Sequence, residues 1–99
     1  MNFSDFIQEF APPEGATYKN IYKNSRGMLS FEGDFPISDT YGSITFRVTI
    51  KKDMSYKIQY INASDSMYYQ ANKIHARQRL INLFNWWINK YRRELRLFF

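Results

Sequence analysis

Along residues 43–51, Ile44, Phe46, Val48 and Ile50 alternate with Thr45, Arg47, Thr49 and Lys51. A period of two puts the apolar set on one side of a strand and the polar set on the other, the pattern of an antiparallel sheet with one buried and one wet face. Residues 55–61 repeat it with Tyr56, Ile58 and Tyr60, and Lys52-Asp53-Met54 supply a tight turn, so a hairpin is predicted. Upstream, residues 17–23 and 28–35 read as two further strands joined at Asn24-Ser25-Arg26-Gly27, residues that favour a turn. In the second of these, Leu29, Phe31 and Phe35 share one face and Ser30, Glu32 and Asp34 the other. Residues 36–42 read as a loop.

Helical spacing marks both ends of the chain. Asn2 or Ser4 is placed to cap a short helix over residues 5–10, with Phe6, Ile7 and Phe10 as its apolar stripe. Ala11-Pro12-Pro13-Glu14-Gly15 ends it, because proline lacks a donor and disfavours helix in the residue before it. From a cap at Ser64 or Asp65, a long helix is predicted to run as far as Arg96. Roughly 30 residues at 1.5 Å each span about 45–50 Å, whereas a domain of this size is roughly 35 Å across. The helix is therefore expected to overhang, bend, break or meet a second copy.

At about 100° per residue this helix divides into two faces. Ile74, Leu80, Ile81, Phe84, Trp87, Ile88, Tyr91, Leu95 and Phe98 fall in one arc, expected to pack on the apolar side of the sheet. His75, Arg79, Asn82, Trp86, Asn89, Lys90 and Arg93 follow one another on the opposite side, with Arg96 near the far end and Leu83 and Leu97 flanking. The adjacent tryptophans are thereby separated, Trp87 inward and Trp86 outward. The fold class expected is α+β: a three- to four-stranded antiparallel sheet, a short N-terminal helix, and one long C-terminal helix packed on a sheet face.

Composition narrows the classes. Ninety-nine residues make a single domain, 1–99, and 44% apolar with 19% aromatic content is enough for a packed core without staples. Cysteine is absent, which removes disulfides and thiol chemistry and fits a reducing compartment, so cytoplasmic is the expectation. The N-terminus has no basic start, Asp5 and Glu9 interrupt it, and no run approaches the roughly 18 apolar residues of a membrane span. The sequon Asn62-Ala63-Ser64 matters only in a secreted protein.

No catalytic residues stand out. His75 is the only histidine, with nothing nearby in sequence to orient it. A zinc site needs three or four ligands, which one His with scattered acids does not supply. Glu32 and Asp34 are spaced to share a strand face, the ordinary look of a wet face, and the four glycines are isolated, so no phosphate-cradling loop is present. No metal, cofactor or enzymatic activity is expected.

Charge points to a partner instead. The net charge of +5 is uneven: residues 1–39 hold three Lys/Arg against six Asp/Glu, whereas residues 70–99 hold seven against Glu94 alone. A basic rear favours polyanions. In one reading Arg79, Lys90, Arg93 and Arg96 neutralise nucleic-acid phosphates, Trp86 or His75 stacks on a base, and Asn82 and Asn89 offer edge contacts. In a second, Trp86 with Leu83 and Leu97 is the hot spot of a protein interface, through which the chain acts as an interaction module or inhibitor of a partner, as a phage-type accessory protein does, or pairs with a second copy. In a third, the face is merely solvated. Arg47, Lys51 and Lys57 form a secondary basic face beside Thr45, Thr49 and Gln59, or guard a sheet edge against aggregation. Membrane adsorption is disfavoured because the helix's other face is needed for the core.

The order helix, antiparallel strands, long helix resembles the double-stranded-RNA-binding domain in outline. That family carries lysines at the start of its last helix. Here the comparable stretch is Met67-Tyr68-Tyr69-Gln70-Ala71-Asn72-Lys73, with one cation, and there is an extra strand. No residue role follows from the likeness.

Overall fold

The structure is a computed structural model that describes residues 1–38, 42–61 and 67–99. The elements in chain order are α1 (Phe3–Phe10), β1 (Thr17–Lys23), β2 (Leu29–Ser38), β3 (Gly42–Ile50), β4 (Tyr56–Tyr60), α2 (Met67–Lys90) and α3 (Arg92–Arg96). The strands form an antiparallel meander in the order β1-β2-β3-β4. The fold is therefore α+β, with four strands.

Local chemistry sets the connections. Asn2 caps α1, its Oδ1 accepting from the Asp5 N–H at 2.8 Å. Between β1 and β2, Asn24 Oδ1 accepts from the N–H groups of Arg26 and Met28, and Gly27 takes the left-handed φ of 78° that the turn requires. Between β3 and β4, Asp53 Oδ1 accepts from both the N–H and the hydroxyl of Ser55. Hydrogen bonding to Ser55 holds the Asp53 carboxyl below its ordinary pKa. The expected loop over 36–42 gives way at both described ends, since β2 runs on to Ser38 and β3 starts at Gly42. Pro36 pairs with Ser43 beside a register shift, which accommodates its missing donor near the end of the ladder.

One hydrophobic cluster lies between the sheet and the helices. Leu29, Phe31, Ile44, Phe46, Val48 and Ile50 face it from the sheet, and Leu80, Phe84, Trp87, Ile88 and Leu95 from α2 and α3, all buried. Aromatic edges lock the layers together: Phe84 meets Phe46 at 5.8 Å and Trp87 at 5.7 Å, and Phe6 of α1 lies 6.0 Å from Trp87. Gly33 is paired with Phe46 across β2 and β3, and a Cβ there would stand 2.5 Å from the Phe46 ring tip. The missing side chain is what admits that ring. Tyr18 closes the α1 side, its hydroxyl donating to the Pro12 carbonyl while burial pushes its phenol pKa up.

Of the outcomes expected for the long C-terminal helix, the structure shows a break: Tyr91, at φ −104° and ψ 23°, separates α2 from α3. The 24 residues of α2 span about 36 Å, close to the 42 Å long dimension of the molecule. The turn at Tyr91 then brings Leu95 into the core and Phe98 against Phe3 and Phe6. Ile81 is 37% exposed rather than core, because it lies beyond β4, the last strand. There the Tyr56 hydroxyl of the edge strand reaches the Ile81 carbonyl and the Asn85 side chain instead. Tyr91 and Phe98 are half-buried at the rim of the core. The side chain of Ile74 and the proposed caps Ser64 and Asp65 lie outside the described residues.

Candidate functional site

Because Leu80, Phe84, Trp87 and Ile88 are drawn onto the sheet, helical spacing turns the residues between them outward. His75, Arg79, Asn82, Trp86, Asn89 and Lys90 are all exposed on α2, and Arg93 and Arg96 on α3. Backbone bonds from Tyr91 N–H to the Trp87 carbonyl and from Leu95 N–H to the Tyr91 carbonyl, both 2.9 Å, carry the ladder across the break. The ridge thus has two segments, His75 to Lys90 and Arg93 to Arg96.

Trp86 is 55% exposed while Trp87 is sealed, the division that the spacing predicts. Lys90 Nζ stands 4.8 Å from the centre of the Trp86 ring and 5.4 Å from that of Tyr91, so its charge sits over π faces. Asn82 is held by Gln78 at 3.2 Å, and Asn89 by Arg92 at 3.5 Å. Arg79, Lys90, Arg93 and Arg96 have no carboxylate partner among the described residues, where the ion pair present is Arg47 with Glu32. Their charge is available to an anion from outside. Arg77 differs: its guanidinium lies 4.3 Å over the Tyr60 ring, and its Nε is buried without a partner among the described residues. The exposed apolar groups near the helices are Phe10 at 37%, Ile81 at 37% and Leu97 at 83%, with Leu83 half-buried.

On the outer face of the sheet, one of the three expected cations is neutralised. Arg47 is tied to Glu32 at 2.7 Å, and Asn20, at φ 52° in the bulge of β1, donates to the other Glu32 oxygen at 3.0 Å. The Arg47 hydrogen bond, then that of Asn20, holds the Glu32 carboxyl below its ordinary pKa, so it stays charged and cancels Arg47. Of the three residues proposed for that face, Lys51 and Lys57 are exposed and have no ion-pair partner among the described residues. Sequence reasoning missed Lys23, Arg26 and Lys52, which stand with Lys51 around the two hairpin turns. The signal was present, because a meander of two hairpins places both turns at one end of the sheet.

Among the described residues no group of three His, Cys, Asp or Glu side chains comes together, and no helix is long and apolar enough to cross a membrane. No protein-family model, curated protein or solved structure matches the chain.

Proposed function

We propose that the protein is a small, non-catalytic, cytoplasmic binding module that grips the phosphate backbone of a nucleic acid through the outer face of α2 and α3. The observation that carries this reading is the exposed Trp86 with Lys90 over its ring, in line with Arg79, Arg93 and Arg96, none of them neutralised by a carboxylate among the described residues. Cations in such a row release condensed counterions from a polyanion, and an open indole stacks on any base. From Arg79 to Arg93 the ridge covers about 21 Å of helix axis, against one charge per roughly 3.4 Å along each strand. Four cations therefore have phosphates within reach. The test is fluorescence anisotropy with duplex DNA, single-stranded DNA and RNA at two salt concentrations. Binding that weakens steeply with salt supports the reading, and absent or salt-independent binding refutes it.

A second reading has its own observation. Trp86, Ile81, Leu97 and Phe10 are all apolar and more than a third exposed, which suits a protein partner, an inhibited enzyme or a second copy. Here Trp86→Ala abolishes association and salt has little effect. Light scattering of the free protein separates self-association from capture of another chain.

A further inference from the structure

The face of the sheet turned away from the helices holds a second arrangement of charge. Register places Tyr22, Ser30, Thr49 and Lys57 side by side in one row across all four strands. The two central residues are small and the two outer ones large, so the row is a trough. Ser30 is its floor, only 3% exposed, and Tyr22 stands at one rim with 53% of its surface open. Arg26 and Lys51 close the end nearest the turns, and the recess has a volume of about 650 Å³. A second recess of about 560 Å³ adjoins it around Gly27 and adds Lys23 and Lys52, with Arg26, Met28 and Lys51 common to both.

Among the described residues no Asp or Glu lines either recess. Lys23, Arg26, Lys51, Lys52 and Lys57 are exposed and have no carboxylate partner among the described residues. Asp53, the acid of the β3–β4 turn, holds its carboxylate on Ser55 and feels the charge of Lys51 without forming an ion pair with it. Arg26, Lys51 and Lys57 line the first recess together, and like charges on one recess favour a ligand bearing several negative charges. The hydroxyls of Ser30 and Thr49 line the recess between the cations, that of Ser55 being donated to Asp53, and an open phenol ring stands beside them. Phosphate for the cations and a flat ring for Tyr22 occur together in a nucleoside phosphate.

We infer that this trough is a separate binding site for a nucleoside phosphate, either free or as a unit of a single strand, with phosphates held by Arg26, Lys51 and Lys57 and the base on Tyr22. It lies on the opposite side of the sheet from α2 and α3 and does not rest on the function proposed for them.

The experiment titrates the isotope-labelled full-length protein with ATP, and separately with a short single-stranded oligonucleotide, while amide shifts are followed by NMR. Saturable shifts centred on Tyr22, Arg26, Ser30, Thr49 and Lys57 are expected. The Lys51→Ala/Lys57→Ala pair should weaken binding by about tenfold or more and Tyr22→Ala by about fivefold or more. Saturation by ATP identifies a free nucleotide site; the same shifts with the oligonucleotide alone identify a strand. The inference is overturned if neither probe shifts these amides, if the lysine pair leaves affinity unchanged, or if a polyglutamate peptide displaces the probe with equal affinity.

Discussion

Replacing Arg79 and Arg93 together by alanine tests the helical ridge most directly. Both side chains are exposed and free of ion pairs among the described residues, so their loss should leave the fold intact. If Arg79, Lys90, Arg93 and Arg96 each neutralise one phosphate of a duplex, log affinity should fall against log salt with a slope of about 3.6, and of about 1.8 in the double variant. Raising salt from about 50 to about 200 mM then weakens the wild type about 150-fold and the variant about 12-fold. Fluorescence anisotropy with a labelled duplex, at four or more salt concentrations, measures both slopes. A variant that binds more weakly with an unchanged slope would mean that these arginines do not contact phosphates. An unchanged affinity would remove the ridge as the contact surface.

The remaining predictions concern the scaffold and the indoles. Trp86→Ala should alter thermal stability by less than about 0.5 kcal/mol, as for an exposed side chain away from structural features, while weakening single-strand binding by about 1–3 kcal/mol through lost stacking. Gly33→Ala forces a Cβ to within 2.5 Å of a fully buried Phe46 ring, and urea denaturation should show a loss of about 1–3 kcal/mol. The Trp87 indole N–H is buried without a partner among the described residues, a burden of about 1–3 kcal/mol. Trp87→Phe should therefore unfold within about 1 kcal/mol of the wild type, against a loss of about 3–5 for Trp87→Ala. Glu32, whose folded pKa lies below its ordinary 4.5, contributes stability above that value and loses it as pH falls through the folded pKa. Melting temperatures of Glu32→Gln should accordingly fall less between neutral and acid pH than those of the wild type.

What the amino-acid order determines by itself is whatever depends on the geometry of one segment. Alternation along β3 and β4 puts Ile44, Phe46, Val48 and Ile50 inward, and a step of 100° turns Trp86 out and Trp87 in, because both periods belong to the local backbone. The exposed ridge was legible for that reason. Features that depend on which segments meet were not. Ile81 shares the helical arc of the core residues, yet the sheet ends at β4 and leaves it uncovered. Tyr91 interrupts a helix with uninterrupted periodicity, and beyond it Leu95 is buried in the core while Phe98 packs on Phe3 and Phe6 of α1. Arg47 looks like a free cation in the chain and is neutralised only because register sets Glu32 opposite it. Lys23 and Arg26 are far in sequence from Lys51, Lys52 and Lys57, and two hairpin turns at one end of a meander make them neighbours. Side-chain period is local, whereas register and sheet edges are settled by contacts between distant parts of the chain, so only the tertiary structure decides them.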